Sequence, residues 1–170
     1  MIDCGICILR PWTDGDVEPL AALADDGEVV RYLRDRFPHP YTHDDARAWI
    51  AYNRDRTPVE HFAIEADGEM VGGIAGERLE HEHRGTIRVG YWLGRRFFGR
   101  GLATAACSTL SEHLLATTDA LRLEAAVYHP NLASMRVLEK SGYTCEGILR
   151  RSVMKGDRVY DAHVYAMVRS

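Results

Sequence analysis

The chemistry in this sequence is concentrated where the apolar run Val89-Gly90-Tyr91-Trp92-Leu93 passes through Arg95-Arg96-Phe97-Phe98 into Gly99-Arg100-Gly101-Leu102-Ala103. A strand that turns on glycines into a helix leaves several backbone N–H groups unpaired and aimed the same way. The positive end of the helix dipole reinforces them, and the concavity suits a pyrophosphate. Glycine is needed because a side chain would block the approach and because such turns use positive φ. The lysine-bearing nucleotide loop is absent, as is Gly-x-Gly-x-x-Gly followed by an acidic residue, so ATP and NAD are poor fits. A tight turn with no ligand is the competing reading of these residues.

Other reactive residue types are weaker signals. Cys4-Gly5-Ile6-Cys7 has the spacing of a redox or zinc half-site, but neither Cys107 nor Cys145 supplies a second pair. The pair precedes an expected strand, Ile6 to Arg10, so it reads as ordinary reduced cysteines. His81 and His83 sit in the polar run Glu80-His81-Glu82-His83-Arg84-Gly85, which reads as a solvated hairpin tip, and no metal is expected.

The elements that must position these groups follow from periodicity and punctuation. Thr13-Asp14-Gly15-Asp16 is a helix start ahead of Leu20, Leu23 and Ala24. Thr42-His43-Asp44-Asp45 repeats it ahead of a stripe of Ala46, Trp49, Ile50 and Asn53, and the proline-rich Phe37-Pro38-His39-Pro40-Tyr41 joins the two helices. His61 to Ala66, Met70 to Leu79 and Thr86 to Leu93 read as strands. Leu102, Ala106, Leu110 and Leu114 mark a helix, and Leu121 to Tyr128 a strand. Asn131 caps a helix that stops at Gly142, and two strands surround Lys155-Gly156-Asp157. The expected fold is α+β, with one mixed, mostly antiparallel sheet flanked by helices on both faces, in a single domain over residues 1–170.

Arg96-Phe97-Phe98-Gly99-Arg100-Gly101 resembles the Arg/Gln-x-x-Gly-x-Gly/Ala segment with which the GNAT N-acetyltransferases hold coenzyme A. Asn131-Leu132-Ala133-Ser134, then Leu138-Glu139-Lys140-Ser141-Gly142-Tyr143, is similar to a second signature of that superfamily. Leu9-Arg10-Pro11-Trp12-Thr13 with Asp16, and Gly90-Tyr91-Trp92-Leu93, resemble its RimJ/RimL-type branch. The likeness runs in order from about residue 8 to the end of the chain.

The resemblance implies acetyl-CoA as cosubstrate and transfer of acetyl to a primary amine by direct attack on the thioester. It assigns the pantetheine arm to the backbone of Tyr91, Trp92 and Leu93, and the pyrophosphate to the segment from Arg96 through Gly99, Arg100, Gly101, Leu102 and Ala103. Asn131 would hydrogen-bond the arm, besides capping its helix. The tyrosine that many members use to protonate the leaving sulfur is replaced by Leu138. Ser134 is the implied donor in this branch, with Tyr128 as the alternative. Glu77 is the first choice of general base. Branch members often carry a glutamate where this chain has Arg88.

The formal charge of −4 and ordinary apolar content argue against a general nucleic-acid binder. No apolar run approaches the ~20 residues of a membrane span, and the first residues lack the pattern of a secretory signal. A cytoplasmic enzyme is the expectation, its acceptor an amine-bearing peptide or small molecule. A non-catalytic acyl-CoA sensor is the alternative. A homodimer through an edge from Tyr160 to Val168 is also expected by analogy.

Overall fold

The structure, a computed structural model, describes residues 1–54, 56 and 60–169. Its frame is a single eight-stranded sheet. The strands are β1 (Ile2–Asp3), β2 (Ile8–Arg10), β3 (His61–Ala66), β4 (Glu69–Arg78), β5 (Thr86–Leu93), β6 (Arg122–Tyr128), β7 (Thr144–Lys155) and β8 (Arg158–Val168). The spatial order is β1-β2-β3-β4-β5-β6-β8-β7, with β5–β6 the one parallel neighbour pair. The helices are α1 (Val17–Ala24), the single turn α2 (Gly27–Val30), α3 (His43–Arg54), α4 (Leu102–Thr117) and α5 (Leu132–Lys140).

Strand alternation sorts the core into two layers. Leu9, Phe62, Ile64, Ile74, Ile87, Val89, Leu93, Leu123, Ala125 and Val127 point to one face. There they meet Leu102, Ala106 and Leu110 of α4 and Met135 and Leu138 of α5. Ala63 and the half-buried Trp92 point to the other, beneath Trp12, Leu20, Ala24, Ala46 and Ile50. The helices thus cover both faces, as expected for an α+β sheet.

The helix starts are built as their sequences require. Asp16 accepts from the Thr13 N–H at 2.8 Å and its hydroxyl at 3.0 Å, and Asp45 does the same for Thr42 at 2.8 and 2.6 Å. Asp16 also takes both terminal nitrogens of Arg10 at 2.7 Å while Arg10 Nε reaches Glu65 at 2.5 Å, which ties α1 to β2 and β3.

Two expectations need correction. The opening is not one strand from Ile6 but a small hairpin, with β1 and β2 on either side of Cys4-Gly5-Ile6-Cys7. And β8 is not an edge: it lies between β6 and β7, paired along both sides. The free edge at that end of the sheet is β7. Both late strands carry similar alternation, so the order in which they join the sheet was not readable from either alone.

Candidate active site

The sheet parts in its middle. β5 pairs with β6 only through Thr86–Arg122, Ile87–Leu123 and Arg88–Glu124. Beyond that rung Val89–Leu93 continues on β4 alone, and Ala125–Tyr128 on β8 alone. Half of the backbone groups of these segments therefore face a gap instead of a neighbouring strand, a state that water or an extended ligand must relieve.

The N-terminus of α4 lies at the end of β5. A 3₁₀ turn, Arg95–Phe97, anchors the loop by burying Phe97. Gly99 and Gly101 then take φ of +76° and +80°, where any side chain is strained, and Gly99 has open space where a Cβ would stand. Ala105 donates the first α4 bond to the Gly101 carbonyl, so the amides before it have no acceptor within the helix. No side chain caps α4. An anion fits such an end, and Arg96 and Arg100 stand above the Phe97 ring at 4.7 and 5.7 Å. Both arginines are exposed and paired for now with Glu69 (3.0 Å) and Asp67 (2.8 Å).

A hydrogen-bonded bridge spans the gap on the α4–α5 side. Tyr91 of β5 places its hydroxyl 2.9 Å from Ser134 Oγ and 3.1 Å from the Ser134 carbonyl oxygen, to which it donates. Burial, reinforced by nearby Cys107, raises the Tyr91 pKa well above its ordinary value, so the phenol keeps its proton. Ser134 is held in turn by Asn131, whose Oδ1 accepts from the Ser134 N–H at 3.2 Å as the cap of α5. That leaves the two Asn131 amide hydrogens for another acceptor. Leu138 is completely buried among apolar neighbours.

Tyr128 ends β6 opposite Ala162. By alternation it stands on the α1–α3 face with Glu124 and Ala126, across the sheet from Tyr91 and Ser134. The two donors expected from sequence thus flank the gap from opposite faces.

Glu77, Arg88, Gly90 and Trp92 share that α1–α3 face, with Glu77 opposite Arg88 and Ala75 opposite Gly90. Gly90 has open space where a Cβ would be. Trp92 is roofed by Phe37 at 5.6 Å, and Phe37 by Tyr41 at 5.1 Å, so the proline-rich loop covers this end. Glu77 receives Arg36 at 2.5 Å, has Arg34 at 4.0 Å, and lies 3.6 Å from His61 Nε2. Burial opposes its charge, but the Arg36 hydrogen bond and the surrounding positive charges prevail, and its pKa falls below the usual carboxylate value. His61 is buried against Trp49 and pushed below its ordinary pKa mainly by that burial.

Sequence reasoning did not find Glu124. It sits on the last paired rung and takes Arg88 at 3.0 Å, so the arginine that replaces the branch's glutamate is neutralised from the next strand. It also missed Lys155, whose Nζ donates to the carbonyls of Val30 (3.0 Å) and Leu33, fastening the β7–β8 tip to the end of α2 and the residues that follow it. His81 and His83 are exposed in their loop.

The matching of known proteins agrees with this geometry. Residues 7–144 match the family model described as the acetyltransferase (GNAT) domain. The chain belongs to the GNAT acetyltransferases. Among its relatives is YjcK of Bacillus subtilis (strain 168), named as an N-acetyltransferase, 31% identical over 128 residues that cover 72% of this chain and 70% of the relative. The ribosomal-protein-serine acetyltransferase of Escherichia coli (strain K12) is 26% identical over 74% of this chain and 71% of its own length, which supports the RimJ/RimL-type branch. A solved RimL, the ribosomal L7/L12 α-N-protein acetyltransferase in complex with coenzyme A, superposes with a TM-score of 0.84. It is 21% identical, with 96% of this chain and 94% of that one covered, and it shares the fold. As a GNAT member this chain is an N-acetyltransferase, and no described helix is long and apolar enough to cross a membrane.

Proposed function

We propose that this GNAT enzyme uses acetyl-CoA to acetylate a primary amine, either the N-terminal α-amine of a protein such as a ribosomal protein or the amine of a small molecule. The observation that carries the reading is the three-rung junction of β5 and β6, which opens a gap between an uncapped glycine turn and a bridged pair of hydroxyls.

In this reading the amides from Gly99 to Ala103 hold the pyrophosphate, with Arg96 and Arg100 exchanging their carboxylates for phosphate oxygens. The free edge of Tyr91–Leu93 and the Asn131 amide hold the pantetheine arm. The thioester supplies an activated acyl group with a thiolate leaving group. The acceptor amine enters from the α1–α3 face over Gly90 and gives up its proton to Glu77, directly or through water. A backbone N–H on the free side of β5 receives the developing oxyanion. Ser134, backed by Tyr91, offers a hydrogen bond to the departing sulfur from one face; Tyr128 is the alternative donor, from the other.

Acceptor-dependent release of free thiol from acetyl-CoA, measured over N-terminal peptides and small amines, tests the activity. Coenzyme A binding without release for any acceptor would instead support an acyl-CoA sensor. Gly101→Glu puts bulk and charge where phosphate would sit and is expected to abolish binding. Unchanged affinity in that variant would sink both readings. A homodimer, if one forms, has the β7 edge with exposed Ile148 and Leu149 available to it, and sedimentation of the intact protein decides.

A further inference from the structure

The β1–β2 hairpin carries a feature that the acetyl-transfer site does not use. The β1–β2 register pairs Ile2 with Leu9 and Asp3 with Ile8, and continuing it by one residue brings Cys4 opposite Cys7 just beyond the paired strands. The Cys4 N–H donates to the Cys7 carbonyl at 2.9 Å, one of the two bonds that a full rung would carry. Gly5, at φ +79°, makes the turn possible, with the Ile6 N–H donating back to the Cys4 carbonyl at 3.0 Å. Directly opposed residues in an antiparallel pair project from the same face, with Cα atoms about 5.5 Å apart where they are hydrogen-bonded. That is inside the range a disulfide spans.

The two thiols are not equivalent. Cys4 is half-buried, whereas Cys7 is buried, with its Sγ 4.0 Å from the Leu102 carbonyl at the start of α4. The neighbouring Cys7 side chain lowers the Cys4 pKa to about 7, with Thr109 helping and burial and Asp3 opposing. The same interaction and burial raise Cys7. One accessible, acidic thiol beside one retained as a thiol is the arrangement of an attacking and a resolving cysteine.

The hairpin also touches the glycine turn. Gly5, Ile6 and Cys7 line one side of a cavity of ≈600 Å³ whose other walls include Arg100 and Leu102. Ile6 Cδ1 stands 3.7 Å from the position of a Gly101 Cβ. Cβ atoms in such a rung are about 5 Å apart, against about 3.8 Å in a disulfide, so closing the bond must draw the strands together and shift Ile6.

We propose that Cys4 and Cys7 are a reversible redox pair, oxidised by low-molecular-weight disulfides of the glutathione type, and that closing it weakens coenzyme A binding at the adjacent turn. The Cys4 thiolate attacks one sulfur of the small disulfide, whose S–S bond breaks and releases one thiolate. Cys7 loses its proton and attacks the Cys4 sulfur, releasing the second thiolate and leaving the Cys4–Cys7 bond. Two protein thiols are oxidised and one small disulfide is reduced to two thiols. The second half of the inference rests on the coenzyme A reading above.

The test treats the reduced full-length protein with oxidised glutathione, maps thiols by alkylation and peptide mass, and measures coenzyme A affinity by calorimetry before and after. The expected result is a Cys4–Cys7 peptide lighter by two hydrogens, a severalfold loss of affinity, and recovery of both on reduction. Cys4→Ser and Cys7→Ala should each bind coenzyme A normally and lose the response to oxidant. A lasting glutathione adduct on Cys4, or untouched thiols, overturns the pair. A closed bond with unchanged affinity overturns the coupling. Reduced protein that binds no coenzyme A overturns the coupling together with the cofactor reading, while the thiol map still decides the pair by itself.

Discussion

The Tyr91 hydroxyl lies 2.9 Å from the Oγ of Ser134, joining two residues 43 positions apart beside the gap where β5 and β6 diverge. Either oxygen can donate. When the phenol hydrogen turns from the Ser134 carbonyl to Oγ, the serine hydrogen is free for a third group, so the pair works as one donor.

Tyr91→Phe and Ser134→Ala should therefore each lower kcat, by about 10²-fold if the pair carries full acid assistance. The double variant should be little worse than the worse single one. Coenzyme A affinity should hold in Tyr91→Phe. Steady-state kinetics of the three variants checks this, and additive losses would separate the two roles.

Glu77 is held below the ordinary carboxylate pKa and is ionised throughout the neutral range. The rise of kcat/KM with pH should accordingly follow the acceptor amine, centred near 8 for an α-amine. Glu77→Gln should lower the plateau and leave the midpoint where it was. A midpoint that moves with the substitution would mean that Glu77 itself titrates in the profile.

Gly90→Val places a branched side chain into the open space over β5 on the α1–α3 face. Acceptor KM should rise about tenfold, equivalent to roughly 1.4 kcal/mol. Calorimetry should give an unchanged coenzyme A affinity, because that ligand is expected to use the strand's edge and not this face.

Asp16 is buried and accepts four hydrogen bonds from Arg10 and Thr13. Burial opposes its charge, but Arg10 and Thr13 lower its pKa below the ordinary 3.8. A depressed folded-state value means that the stabilisation is fully present above about 3.8 and is lost as pH falls through the folded pKa. Asp16→Asn should destabilise the fold by about 3 kcal/mol at neutral pH, by leaving Arg10 short of its partner. In chemical denaturation, the denaturant midpoint of the variant should then fall less than that of the native protein between neutral and acid pH.

What could be read from the residues was local. Gly99 and Gly101 announce a positive-φ turn because glycine takes that conformation at least cost, and Asn131 announces a helix because its side chain can accept from an amide three residues on. The Arg36–Glu77 contact spans 41 residues and comes from a loop whose periodicity says nothing of where it lands. The three-rung junction is equally hidden. Val89–Leu93 has the same alternation whether one neighbour is present or two, so divergence leaves no mark on either strand. The opening hairpin was missed because β1 has only two residues, too short for a period.

That junction has a consequence for how the molecule breathes. With three rungs between β5 and β6, the sheet is mechanically two smaller sheets, β1 to β5 and β6 with β8 and β7, coupled chiefly through α4 and α5. Amide protons along the inner edges of Val89–Leu93 and Ala125–Tyr128 should exchange early, and independently in the two halves. An extended ligand lying between them would act as a ninth strand, and the two halves would then open together.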